Sequence, residues 1–294
     1  MKLPIFYRPE QSCTAAASYS PSAAKPALVM ADWLGNDQLA PHLEVHSFEP
    51  ATDADLCAAH DPGYVAGILS GDIENGFDNT SLAIANSLRY TVGSMLAAAK
   101  HVLSQRGTHH ANYAISPTSG FHHAGHSWGG GYCTFNGLMV TAIRLHQLGL
   151  AKKILIIDMD QHYGNGTQDI IDTLGINCVH HITAQKSYKT ADEALHAAHV
   201  LHNLDECYYD LVLYQAGADI HLDDPLGGLL TTHQMSVRDR TVFTDAIMRK
   251  TPLVWNLAGG YQRDAQGTIA PVLKLHRNTL HECLKLQSDT YAQP

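Results

Sequence analysis

The chain has 294 residues, of which 45% are hydrophobic and 16% charged, the balance of an ordinary soluble globule with ample core at a length that large α/β domains reach. Its 19 basic against 28 acidic residues leave a formal charge of −9, with no cluster of Lys and Arg able to follow a phosphate backbone, which disfavours direct nucleic-acid binding. Cys13, Cys57, Cys133, Cys178, Cys207 and Cys283 are scattered without a Cys-x-x-Cys pair, which points to a reducing compartment and away from a cysteine zinc site.

Residues 1–10 meet Pro4 and Arg8 before any apolar segment long enough for export, and no later run approaches a membrane span, so a cytoplasmic protein with no membrane attachment is expected. Residues 3–7 read as a first strand and 9–25, rich in Ser, Ala and Pro, as loop. A second strand is expected over 42–48, short helices over 53–60 and 62–69, and a loop over 70–80. In 87–104 the apolar set Leu88, Val92, Met95, Leu96, Ala99, Val102 and Leu103 falls at spacings of three and four, which predicts a core-facing helix.

Strands and helices then alternate. Strands are expected over 112–116, 154–157, 177–182, 210–215 and 253–257, and helices over 136–148, 167–174, 191–204, 233–249 and 264–284. Repeated βα units of this length imply an α/β fold: a single domain over residues 1–294, with a central, mainly parallel sheet and helices on both faces.

The chemistry gathers around residues 153–168, KILIIDMDQHYGNGTQ. The apolar run Ile154-Leu155-Ile156-Ile157 delivers Asp158, Asp160 and His162 at alternate positions, so their side chains share one face as the strand ends. Gly164-Asn165-Gly166 and a helix start follow, and the carboxyl end of a buried strand is where an open α/β sheet places its site. Carboxylate and imidazole ligands two residues apart suit zinc, though the same triplet could simply cap the next helix and bond loop amides.

Three further loops after strands carry polar groups that a plain turn does not need. The first holds Ser119-Gly120-Phe121-His122-His123-Ala124-Gly125 and then Gly129-Gly130-Gly131-Tyr132-Cys133; the others are Ala216-Gly217-Ala218-Asp219 and Ala258-Gly259-Gly260-Tyr261. Parallel strands all end on one edge, so the four loops open onto the same crevice. Together they supply Asp160, His162 and Asp219 for a metal, a histidine pair, and a tyrosine on a Gly-Gly stalk. Three protein ligands with an open fourth position is the catalytic pattern for zinc, which draws the pKa of a bound water from about 15.7 toward about 7, so hydrolysis is the expected reaction.

These motifs resemble the zinc-dependent histone deacetylase superfamily, which also holds acetylpolyamine amidohydrolases and shares its fold with arginases. His-His, Asp-x-Asp-x-His-x-Gly-x-Gly, Gly-Ala-Asp and Gly-Gly-Tyr occur in the family's order across residues 113–270. The resemblance implies Asp160, His162 and Asp219 as ligands of one zinc per chain, with Fe2+ able to replace it in the cell. It implies His122 and His123 as the tandem histidines, His123 being the proton shuttle, and Tyr261 as donor to the substrate carbonyl oxygen and then the oxyanion. Asp158 is the implied partner of His122, Asn165 that of His123, and Tyr132 with Gly131 the wall of an acyl-binding tunnel. The family's monovalent-cation site uses backbone carbonyls around Asp158, Asp160 and His162, which adds K+ as an expected ion.

The chain also departs from the pattern. Many relatives carry a second histidine where Tyr163 stands, and Asn165 in place of aspartate resembles the class II and class IV branches. The Gly-Phe-His-His form and the closing section, with Gly-Ala-Asp-Ile, an Arg-Asp inside the helix and Ala-Gly-Gly-Tyr-Gln, are most similar to class IV. Residues 183–190 lack the aromatic and Pro-Gly signature that many relatives carry beside the tunnel. The expected function is a zinc-dependent deacylase of N-acyl amines, with acetyl- or longer acyl-lysine in a peptide or protein as substrate. Its nearest rival is an acetylpolyamine amidohydrolase, and the rival from another class is an acyl-lysine reader without catalysis. A two-metal ureohydrolase would need more carboxylates after His162, where Tyr163, Gly164 and Asn165 stand.

Overall fold

The computed structural model describes residues 2–13, 20–106, 113–203 and 208–291. Among these, seven strands form one sheet: β1 (Leu3–Phe6), β2 (Leu43–His46), β3 (Tyr113–Ile115), β4 (Ile154–Asp158), β5 (Val179–Ile182), β6 (Leu211–Gln215) and β7 (Leu253–Asn256). Their order is β2-β1-β3-β7-β6-β4-β5 and every neighbouring pair is parallel. The helices are α1 (Lys25–Leu34), α2 (Asp53–Leu56), α3 (Pro62–Ser70), α4 (Leu82–Ser104), α5 (Gly137–Gln147), α6 (Asn165–Leu174), α7 (Ala191–Ala198), α8 (Val200–Asn203), α9 (Thr232–Met248) and α10 (Ala270–Tyr291).

The strand period of two divides the core between the sheet's faces. Leu155, Ile157, Val212, Tyr214, Leu253 and Trp255 pack with Trp33 of α1, Ala194 of α7, Phe243 of α9 and Leu275 of α10. Ile154, Ile156, Leu211, Leu213 and Val254 point the other way, against Met95 of α4, Leu138 of α5 and Ile170 of α6. Being covered on both sides is why β4 reads as an unbroken apolar run, and each such side chain contributes about 1.5–3 kcal/mol on leaving water. In register, Asp158 lies beside Gln215 and Gln215 beside Asn256, so β4, β6 and β7 finish level and their loops start from one edge.

The structure differs from the sequence reading at several edges. Helix α1 was not anticipated; Pro26 in its first turn presets the backbone, and Val29, Met30 and Trp33 bury one side. Helix α4 starts at Leu82 because the Ser81 hydroxyl caps it, accepting from the Ile84 amide at 3.4 Å. Helix α10 starts only at Ala270, since Asp264 folds a turn, its Oδ1 accepting from the amides of Gln266 (3.0 Å) and Thr268 (2.7 Å). The helix expected over 191–204 is divided at His199 into α7 and α8. Asn112 and Leu204 at the ends of two expected elements, residues 14–19 of the expected loop, and Cys207 lie outside the described residues. No described helix is long and apolar enough to cross a membrane, and Cys13, Cys57, Cys133, Cys178 and Cys283 are free thiols.

Candidate active site

Asp160, His162 and Asp219 converge, their ligand atoms lying within 4.8 Å of one another. His162 Nδ1 stands 3.1 Å from both Asp160 Oδ1 and Asp219 Oδ2. The backbone holds the carboxylates in place: Asp160 Oδ2 accepts from the Gly259 amide at 2.9 Å and Asp219 Oδ1 from the Gln161 amide at 3.3 Å. Gly259 has to be glycine, because a Cβ there would run into Asp219 Oδ2 and come within 2.8 Å of Asp160 Oδ2. Both carboxylates are buried, while the His162 side chain keeps 35% of its surface exposed, which leaves the cluster open on one side. Two oxygens and one imidazole nitrogen, converging on one point and open to the crevice, are a donor set that fits a catalytic zinc ion.

Each of the tandem histidines meets a side chain from the β4–α6 segment. His122 Nδ1 lies 2.7 Å from Asp158 Oδ2, both groups buried, and His122 Nε2 lies 3.5 Å from Asp160 Oδ1. His123 Nδ1 lies 2.6 Å from Asn165 Oδ1. The two imidazole rings sit 4.0 Å apart between centroids, and His123 is 5.9 Å from His162. Burial alone would neutralise His122, but the carboxylates of Asp158 and Asp160 outweigh it and push its pKa up to about 9. His123 faces a neutral amide instead, so burial and the adjacent His122 pull it down to about 4. One imidazole is thus held as a cation and its neighbour as a base.

Gly131 and Tyr132 lie against this pair. Gly131 takes a φ of +52°, and a Cβ on it would stand 2.6 Å from His123 Cδ2, so glycine is required for the backbone to lie over that ring. The Tyr132 ring is 6.0 Å from that of Tyr261 and 5.8 Å from Phe77. Tyr261 is 9% exposed, and its amide donates to Asp224 Oδ2 at 2.8 Å. Burial, with Asp219 and Asp160 nearby, raises its phenol pKa well above the usual range, so the hydroxyl keeps its proton.

Several groups at this site had no signal in the spacing of motifs. Gln215 donates Nε2 to Asp158 Oδ1 at 2.7 Å, in addition to the Asp160 amide at 3.2 Å. Lys25, fully buried at the start of α1, donates Nζ to the Ala258 carbonyl under the Tyr261 loop; desolvation pulls its pKa down to about 8 against the opposing pull of Asp219 and Asp160. Tyr188 donates to the carbonyls of Asp158 and Asp160, the same carbonyls expected to hold K+. Lys25 stands at the end of the stretch read as loop, and Tyr188 falls in the very segment that departs from the family's pattern.

Comparison with known proteins gives the chain's family. The histone deacetylase domain matches residues 21–183. Histone deacetylase 2 of Arabidopsis thaliana is 30% identical over 210 residues, which span 62% of this chain and only 51% of that protein. The acetylpolyamine amidohydrolase of Mycoplana ramosa is 52% identical over 62 residues, 21% of this chain and 18% of that protein. Among solved structures, acetylpolyamine aminohydrolase from Burkholderia pseudomallei has a TM-score of 0.73 at 18% identity, covering 96% of this chain and 98% of its own. The HD domain of HDA15 has a TM-score of 0.74 at 18% identity over 99% of each chain, and these two share the fold. The domain match takes in more than half the residues, including the His122-His123 pair and the whole Asp158-to-Asn165 strand end, and on that footing the chain belongs to the histone deacetylase family.

Proposed function

We propose that the chain is a single catalytic domain and a zinc-dependent deacylase, which hydrolyses the amide of an N6-acyl-lysine in a peptide or protein. The observation that carries this reading is the open cluster of Asp160, His162 and Asp219 beside the His122–Asp158 and His123–Asn165 pairs. Those three residues would hold the zinc, and Fe2+ suits the same donors. Bound there, the ion would supply a Lewis acid for the acyl carbonyl and acidify water at neutral pH.

The chain's own groups account for the remaining steps. With Nδ1–H donated to Asn165, His123 keeps Nε2 unprotonated, and it takes the proton of the attacking water there and passes it to the leaving amine. His122, kept charged by Asp158, does not compete for that proton. Tyr261 donates to the carbonyl oxygen as negative charge grows on it. Gly131 and Tyr132 line the acyl channel. The free thiols agree with a cytoplasmic setting.

His123→Ala is expected to lower turnover by about 10²–10⁴. It should also change the acidic limb of the pH–rate profile, which in the wild type lies below the usual imidazole range because His123 is active as the neutral base and is protonated only toward about 4. A variant as active as the wild type would remove His123 from the reaction.

The local 52% identity to an acetylpolyamine amidohydrolase favours a second reading, acetylated small amines as substrates. The test is a set of rates for the zinc-loaded protein on one lysine peptide carrying acetyl, butyryl, octanoyl or myristoyl groups, with acetylputrescine beside them. Faster turnover of any acyl peptide than of acetylputrescine supports the lysine reading, and its rise with chain length would reveal a deep channel. Preference for acetylputrescine selects the second reading, and no turnover on any of the five with zinc bound would move the acyl-lysine reader to the front.

A further inference from the structure

The end of β4 is already supplied with protein donors where a monovalent cation is expected. The Tyr188 hydroxyl lies 3.1 Å from the Asp158 carbonyl oxygen and 2.9 Å from that of Asp160. Between them, the Met159 carbonyl accepts from Arg238 Nη1 at 3.3 Å, and the same nitrogen donates to Gly217 O at 2.9 Å. Two of the three carbonyls expected to hold the ion, and the Met159 carbonyl between them, are thus served by two side chains from elsewhere in the chain. The Asp158 carboxylate is equally occupied, Oδ1 by the Asp160 amide and Gln215, and Oδ2 by His122 and, at 3.4 Å, the Thr183 hydroxyl. His181 is buried beside the same oxygen, at 3.8 Å from Asp158 Oδ2.

Both side chains are firmly placed. Tyr188 is 2% exposed and ends a tight loop in which Gln185 N donates to Tyr188 O at 2.7 Å and Ser187 N to Thr183 O at 2.9 Å. Arg238 is fully buried, its charge matched by Asp239, with Nε on Oδ1 at 2.8 Å. A phenol has one proton, so Tyr188 bridges its two carbonyls as a shared donor, and the fixed positive charge beside them is the guanidinium.

We propose that Tyr188 and Arg238 stand in for the monovalent cation at this strand end, so that the loop carrying Asp158, Asp160 and His162 is held without K+. Tyr188 is then a positioning residue, and the inference holds whether the substrate is an acyl-lysine or an acetylated polyamine.

The experiment is thermal melting of the zinc-loaded full chain in the chlorides of potassium, sodium and tetramethylammonium at equal ionic strength. The wild type is expected to melt at the same temperature in all three. Tyr188→Phe, which strands two buried carbonyls, is expected to melt lower in tetramethylammonium and to recover part of the loss as potassium is titrated in. A wild-type melting temperature that climbs and saturates with potassium alone would overturn the inference. So would a Tyr188→Phe protein that melts where the wild type does, or one that is weakened but indifferent to potassium.

Discussion

Tyr261→Phe is expected to cut turnover by about 10²–10³, equivalent to about 2.7–4 kcal/mol of transition-state stabilisation. The size of the effect follows from how the tyrosine is held. Its stalk passes through Ala258 at a φ of +52° and Gly260 at +143°, an unusual backbone path that is fastened at both ends. The Gly259 amide is bonded to Asp160 and the Tyr261 amide to Asp224, so the position of the phenol is tied to one of the metal-cluster carboxylates. A donor placed in advance has little to reorganise when charge develops on the substrate oxygen, which is when it contributes most. Phenylalanine keeps the ring contact with Tyr132 and removes only the hydroxyl, so the melting temperature should barely move. A kcat loss of less than about threefold would reduce Tyr261 to a packing residue.

What could be read from the chain depended on how far apart the interacting residues lie. Asp158, Asp160 and His162 were legible because strand geometry turns a spacing of two into a shared face. The parallel sheet was legible because each apolar run was followed by a helical one. The order β2-β1-β3-β7-β6-β4-β5 was not, since nothing local tells β7 to insert between β3 and β6. Helix α1 was missed because the Ser, Ala and Pro before it read as loop, although its apolar stripe reaches Trp33 and packs on Trp255. Arg238 was noticed only as the Arg-Asp of a class IV-like helix and Tyr188 not at all, and neither contact was legible because a side chain that caps a distant carbonyl obeys no spacing rule: Arg238 reaches Met159 across 79 positions. The pairing of His122 with Asp158 came from family resemblance, and the 2.7 Å contact gives it a physical basis in the charge that Asp158 holds on the ring.

Zinc affinity is expected to fall at least about tenfold for each unit of pH lowered between 7 and 5. In the metal-free chain, hydrogen bonds to Asp160 and Asp219 push His162 up to about 11. Burial and the neighbouring Asp160 push Asp219 up to about 7. A divalent cation takes all three groups deprotonated, so over this range binding must expel the His162 proton and, increasingly as pH falls, one from Asp219. The sign is therefore fixed: protons compete with the ion, and affinity rises with pH. Competition against a chromophoric chelator at several pH values measures the slope, and a flat profile would mean that zinc is held by other residues. Asp219→Asn tests the same cluster from the other side. It keeps the shape that accepts from the Gln161 amide but removes one of two negative charges, so the protein should emerge from desalting without stoichiometric zinc and without turnover. If Asp219→Asn retained one zinc per chain, the second carboxylate would be a structural partner of His162, and the ion would need a ligand that the converging atoms do not supply.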